Sequence, residues 1–395
     1  MKITAGLGSI DEYIPFVHAG ADEFFCGCVP FWWSEQYGTA MALNRREVLH
    51  YGVQIGGLSE LEILAEMVKE YRRPVHLTFN SLYYLPEQYS QLADLMEQCM
   101  EIGFHSFILA DPALLVYLQE RGISCEIHLS GELGEVNRKM AEGFRQFPVK
   151  RLIFHRKNTL EDMAGVIAHV RSLEKMSMLT TNGTESDIRM TEAASMQPME
   201  FEAFVLNELC QFTGAFCNSL HCDEMGHLCR VPYWVGTVGE AKEPQLRQSS
   251  RLAEKRSVGA EQSMPDLEDY SVGAEQSMSD REDYSAGEEQ SMPDVEHSRV
   301  DEKSMEDVDS VDKYLPGRSG CGLCALFQLQ KVGITHLKLV GRGNFTDAME
   351  YDIRALRQAL DVLAESRTEE EYRAKMQETL FPAGCSGACY YRDGK

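Results

Sequence analysis

The sequence contains no run of eighteen uncharged apolar residues, so no helix of it is expected to cross a bilayer. Its opening, MKITAGLGSIDEYIPF, lacks the apolar stretch of a secretory signal, because Asp11 and Glu12 interrupt it. Together these absences lead to the expectation of a cytoplasmic protein with reduced thiols. Basic surplus is missing too. The formal charge is −24, and Ser257–Tyr314 alone holds 18 acidic and 4 basic residues, a net −14 that leaves −10 for the rest. An acidic body argues against a large phosphate-binding surface, so no strong nucleic-acid footprint is expected. Small basic clusters, Arg72–Arg73 and the group Lys150, Arg151, Arg156 and Lys157, read more simply as solvated rims than as binding sites. There is no H-E-x-x-H helix for a metalloprotease and no G-x-S-x-G elbow for a serine hydrolase. No glycine-rich phosphate loop follows the first strand, since AGLGS at 5–9 is too short to count.

What the chain has instead is cysteine, twelve of them in 395 residues. In a reducing compartment that number points to metal or redox chemistry rather than disulfides. It also carries a repeat of period fourteen, SVGAEQSMPDLEDY, SVGAEQSMSDREDY and SAGEEQSMPDVEHS, followed by a degenerate remnant. These units hold almost no large aliphatic residues, so they cannot bury enough surface to offset ordering entropy. Residues 240–316 are accordingly read as a disordered acidic insertion, and a charged interaction segment is its functional alternative.

Outside the insertion, short β-branched or aromatic runs alternate with amphipathic helices. Strands are expected at Ile3–Ala5, Glu23–Cys26, Val75–Phe79, Ser106–Ala110, Cys125–Leu129, Arg151–His155, Glu202–Leu206 and His336–Val340. Eight strands with helices such as LSELEILAEMVKEY and DIRALRQALDVLAE between them predict an α/β protein of the (β/α)8 TIM-barrel type. Residues 1–239 would hold seven βα units and a cysteine-rich loop, 317–366 the last unit, and 367–395 a cysteine-containing tail.

Active groups of such a barrel sit past the C-terminal ends of the strands. That rule selects Cys26, Cys28, Asn80, Asp111, His128, Ser130, His155, Arg156, Cys210 and Arg342. His128 and His155 read equally well as general bases or as hydrogen-bonded structural residues. Arg156 and Arg342 offer forks for a carboxylate or phosphate, against an inter-strand ion pair. Asp111 before Pro112 has the form of a helix cap. Phe31, Trp32, Trp33 and Tyr37 could roof a pocket or simply pack their own loop. Cys26 and Cys28 read as core before they read as ligands, and Cys99 and Cys125 as small buried hydrophobes.

The stretch CQFTGAFCNSLHCDEMGHLCR places Cys210, Cys217, Cys222 and Cys229 after the seventh strand, with six, four and six residues between them. Cys321 and Cys324 open the helix before the eighth strand. These gaps are wider than a zinc knuckle and suit a four-iron cluster somewhat better, but spacing leaves both open. Cys385 and Cys389, in GCSGACYY, lie among glycines that favour a loop. They could cap a cluster, bind a second metal, or do neither.

The segments AGLGSIDEYIPFVHAGADEFFCG, HLTFNSLYYL, FILADPALL, EIHLSGELGEVN, RLIFHR, FEAFVLNELCQFTGAFC, CRVPY and CGLCALFQLQKVGITHLKLVGR resemble, in this order, the U32 peptidase family. The resemblance covers residues 1–230 and 318–365. It implies a barrel carrying a cysteine-ligated 4Fe–4S cluster, in a family that is collagenase-like by name and includes oxygen-independent hydroxylases of RNA or quinone precursors. By this resemblance Cys210, Cys217, Cys229 and Cys324 ligate the cluster, with Cys222 and Cys321 as alternates. Two departures stand out: Leu206–Asn207 replaces the family's His-Gly, and Val340 replaces the acidic residue of its K-I-E-G-R motif.

The resulting expectation is a redox enzyme, of the oxygen-independent hydroxylation type, acting on RNA or a small aromatic molecule. His128, Arg156 and Arg342 would bind or protonate the substrate. The alternatives are a collagenase-like peptidase, for which Cys26 beside His128 is the one nucleophile–base pair to offer, and a non-enzymatic cluster-bearing subunit paired with a second barrel.

Overall fold

The computed structural model describes residues 1–38, 42–45, 53–133, 136–180, 198–210, 221–222, 226–227 and 314–391. The expected insertion lies outside them up to residue 313, as do Cys217 and Cys229. Eight parallel strands close into a barrel: β1 (Lys2–Gly6), β2 (Glu23–Cys26), β3 (Val75–Phe79), β4 (Ser106–Leu109), β5 (Glu126–Leu129), β6 (Val149–Ile153), β7 (Glu200–Leu206) and β8 (His336–Leu339). Each pairs with its neighbour in sequence, and β8 closes on β1 with Lys2 opposite His336 and Ala5 opposite Leu339. The fold is the expected (β/α)8 barrel, each strand falling within two residues of its expected limits.

Helices α1 (Tyr13–Ala19), α2 (Phe31–Tyr37), α3 (Leu58–Tyr71), α4 (Gln88–Ile102), α5 (Pro112–Glu120), α6 (Arg138–Gly143), α7 (Leu160–Thr180), α8 (Leu326–Val332), α9 (Thr346–Glu365) and α10 (Glu369–Leu380) follow in chain order. Their apolar positions recur at helical spacing. In α3 the buried residues are Leu61, Leu64 and Ala65, and in α9 they include Met349, Ile353, Leu356, Ala359 and Leu363. Asp111 starts α5 as expected: its carboxylate accepts the Ala113 N–H at 2.8 Å, and Pro112 takes the first turn, where no N–H is needed. No described helix is long and apolar enough to cross a membrane.

The strands are buried on both faces, and side chains alternate between them. One parity (Ile3, Phe24, Leu77, Phe107, Ile127, Leu152, Phe201, Leu337) belongs to the large core cluster. The other parity faces the lumen, where Phe25, Ile108, Ile153, Phe204 and Val340 form a separate apolar layer with Tyr390. Cys26, Cys28, Cys99 and Cys125 are all buried, as the core reading expected. Burial pushes the Cys26 and Cys99 thiols up to about 12.

Candidate functional site

Above the luminal apolar layer, at the C-terminal ends of the strands, a cavity opens that is lined by Thr78, Asn80, Ser130, Glu132, Glu208 and four cations. The cations are Arg45, Arg156, Lys338 and Arg342, against the two carboxylates of Glu132 and Glu208, so the mouth carries formal positive charge. Arg156 follows β6. Its Nη1 donates to Glu132 Oε1 at 3.0 Å, and Nη2 stands 3.9 Å from Glu208. Its guanidinium lies 4.0 Å over the Phe204 ring. Lys338, on β8, sits 3.7 Å over the Phe25 ring and donates to Glu202 at 2.8 Å. Burial lowers its pKa, and the charge of Glu202 works against that. Arg342 follows β8 and donates to Gln54 at 3.4 Å. Gln54 and Asn44 pair over Gly27, where an added Cβ would stand 1.9 Å from the Gln54 oxygen and would displace this pair.

Below the apolar layer lies an ionic floor. Arg151 donates to Glu23 at 2.7 Å, to Glu202 at 2.9 Å and to Glu200 at 2.8 Å. His336 stands 2.9 Å from the same guanidinium, and His76 lies 3.2 Å from Glu23. Burial raises Glu202, but Lys338 and Arg151 outweigh it and hold the carboxyl down at about 2. Glu23 is also buried and is held well below the usual range by hydrogen bonds from His336 and His76 and by Arg151. This network is where the structure places His128. It is fully buried, its ring centroid is 4.4 Å from that of His76, and its Nε2 is 3.0 Å from Glu126. Burial, with help from His76 and Arg151, lowers its pKa well below 6.5. Among the described residues His76, Glu126 and His128 bring three ligand atoms within 4.8 Å of one another. Ser106 Oγ already links them, at 2.8 Å from His76, 3.3 Å from Glu126 and 3.5 Å from His128.

The structure therefore brings Arg156 and Arg342 together at the mouth and puts His128 a layer beneath them. His155, buried after β6, accepts the Lys157 N–H at 3.1 Å and holds its own turn. Burial brings it to about 4, with Glu132 opposing and Arg156 and Lys157 adding to the drop. The Cys26–His128 dyad is overturned by the wall of the barrel. Cys26 points outward into the main core and His128 inward to the lumen, so no shared substrate reaches both. Trp33 packs on Tyr37 at 4.7 Å inside α2 rather than roofing the mouth. Arg45, Glu132, Glu208 and Lys338 were not singled out in the sequence. Ionisable residues at every second position of a strand (HLKL, EFEAFVL) are the signal that marks Lys338 and the floor as luminal.

Cys210 lies just past β7, partly exposed, within the electrostatic reach of Arg156 and Tyr390. Cys321 bridges Leu206 at the end of the same strand, and Cys324 follows one turn later. Of Cys222 only the backbone is described, in a two-residue pairing of His221–Cys222 with Gly226–His227. Asn207, in the place of the family's histidine–glycine step, adopts φ 64 and donates to the Val340 carbonyl at 3.3 Å and to Asp352 at 2.6 Å. It thus ties the end of β7 to the end of β8.

The sequence pattern of peptidase family U32 matches residues 8–393. The chain belongs to that family. Among solved structures, the U32 peptidase Mk0906 matches with a TM-score of 0.34 and 13% identity, over 52% of this chain and 69% of that one. A 2,3-dimethylmalate lyase of the PEP mutase/isocitrate lyase superfamily matches with a TM-score of 0.30 and 12% identity, over 54% and 71%. No curated protein matches. In this U32 chain the residue at the acidic position of the K-I-E-G-R motif, Val340, lines the cavity. The carboxylates at the mouth come instead from Glu132 and Glu208.

Proposed function

We propose that this U32 protein is a redox enzyme that carries a 4Fe–4S cluster and modifies a small aromatic anion by oxygen-independent hydroxylation. The observation that carries the reading is the meeting of two features at one end of the barrel. The cation-lined, aromatic-walled cavity opens where β7 ends, and Cys210, Cys321 and Cys324 lie at that same end. Cys210, Cys217 and Cys229 would hold the cluster, with a fourth thiolate from Cys324, Cys222 or Cys321. Thiolates are the donors such a cluster takes, and when bound it supplies one-electron transfer.

The chain's own residues select the substrate. Arg342 and Arg156 offer planar forks for a carboxylate or phosphate, while Phe25 and Phe204 offer ring faces beside them. Glu132 holds Arg156 in place, and the apolar layer below keeps the ionic floor out of contact with the bound molecule. A small molecule suits this cavity better than an RNA does, because the body around it is acidic.

Single Cys→Ala changes test the ligand set. Each of the variants Cys210→Ala, Cys217→Ala and Cys229→Ala, purified without oxygen, is expected to lose most of its iron and sulfide. Full iron in any one of them removes that residue from the set.

A further inference from the structure

The C-terminal tail returns to the mouth. After α10 the chain passes Cys385 and Cys389 and runs alongside Cys321. The Cys321 N–H donates to the Ala388 carbonyl at 2.7 Å, and the Tyr390 N–H donates to the Cys321 carbonyl at 2.8 Å. Cys321 and Cys389 are thus bridged partners on adjacent extended segments. Cys324 lies one turn on from Cys321 and shares its electrostatic field with Cys385 and Cys389. Cys321 feels all three other thiols. Two short cysteine segments, C-x2-C and C-x3-C, thus run side by side at one edge of the mouth.

We propose that Cys321, Cys324, Cys385 and Cys389 form a tetrathiolate zinc site that fastens the C-terminal tail across the mouth of the barrel. The spacings are those of a closed structural zinc site, tighter than the six-, four- and six-residue gaps of the loop after β7. Among the described residues only the His76 group holds three ligand atoms within 4.8 Å of one another, so zinc binding here requires the four thiols to draw together. Cys385 is the arm that moves: it is exposed, and it stands between Gly384 at φ 98 and Gly387 at φ 68.

The tail so fastened has work at the mouth. Tyr390 enters the luminal apolar layer and its hydroxyl donates to the Asn207 carbonyl, while Tyr391 donates to the Phe204 carbonyl at 2.6 Å. Both tyrosines brace the strand that carries Phe204 and the turn that leads to Cys210. With Cys321 and Cys324 engaged by zinc, Cys222 completes the loop set for the cluster. In that respect the inference rests on the cluster reading and narrows it.

The test counts zinc and iron separately on the full chain, purified without oxygen. About one zinc per chain is expected, retained in Cys210→Ala and falling below about a tenth in Cys385→Ser and in Cys389→Ser, with iron unchanged in both. Because Cys385 is exposed, its serine variant keeps the fold, which far-UV circular dichroism checks. No zinc in the parent chain, or full zinc in both tail variants, overturns the site. Iron falling in place of zinc in the tail variants also overturns it, and assigns the tail thiols to the cluster. Zinc present with no iron in any variant upholds the site and sinks the cluster reading.

Discussion

Replacing Arg151 by methionine is expected to lower the unfolding free energy by about 3–5 kcal/mol, the usual cost of removing one partner from a buried ion pair. Arg151 is 2% exposed and, among the described residues, is the one group that touches Glu23, Glu200 and Glu202 together. Methionine fills much of its volume but leaves Glu23 and Glu202 charged in the lumen, with Lys2, His76 and His336 on Glu23 and Lys338 on Glu202 as their remaining partners. Against a total of about 5–15 kcal/mol for a domain, the loss is a large fraction. Urea unfolding followed by circular dichroism measures it. The double variant Arg151→Met, Glu202→Gln should lose less than the two single losses added, because neutralising Glu202 removes part of the charge that Arg151 left behind. A loss under about 1 kcal/mol for Arg151→Met would mean that the floor is hydrated and the pairing weak.

The same network makes the protein acid-labile. Glu202 is held at about 2 against an ordinary 4.5, and Glu23 is depressed too. A depressed carboxyl contributes stability above its unfolded pKa and loses it as the pH falls toward the folded one. For Glu202 this amounts to on the order of 3 kcal/mol, lost between about pH 4.5 and pH 2. From pH 4.5 to 7 the buried groups oppose one another. Burial raises Glu12 to about 7 and Asp352 to about 6, and stability from these drains away as the pH rises. His128 and His155 are depressed by burial and act in the opposite sense, since the unfolded chain protonates them first. A nearly level stretch from pH 5 to 7 above a steep acid limb is the expected profile of urea midpoints. Glu202→Gln should flatten the acid limb. Glu12→Gln should tilt the level stretch so that stability rises with pH. An unchanged acid limb in Glu202→Gln would contradict the account.

The barrel was legible because its signals are local. Short β-branched runs such as VHLTF, bounded by amphipathic helices, fix strands and helices one at a time, and eight of them leave few ways to close. The rule that the mouth lies at the C-terminal ends of the strands selected Arg156, Arg342 and Asn80, and all three line the cavity. It misplaced His128, because a residue one step from a strand's end can face the lumen below the mouth. There the neighbours across the barrel, His76, Arg151 and Glu202, decide its environment, and no local pattern reports which strands face one another. Lys338 and Glu208 escaped for the same reason. The C-x3-C tail was visible as a motif, but its partner Cys321 became apparent only when the tail was seen to pair with the segment after β7.

Iron and acid-labile sulfide per chain, measured after strictly anaerobic purification alongside an absorption spectrum before and after dithionite, test the central claim directly. The account predicts about four of each and a broad band near ~400 nm that bleaches on reduction. Absence of iron and sulfide, with no band to bleach, would contradict it and leave the thiols of this U32 barrel a purely structural role.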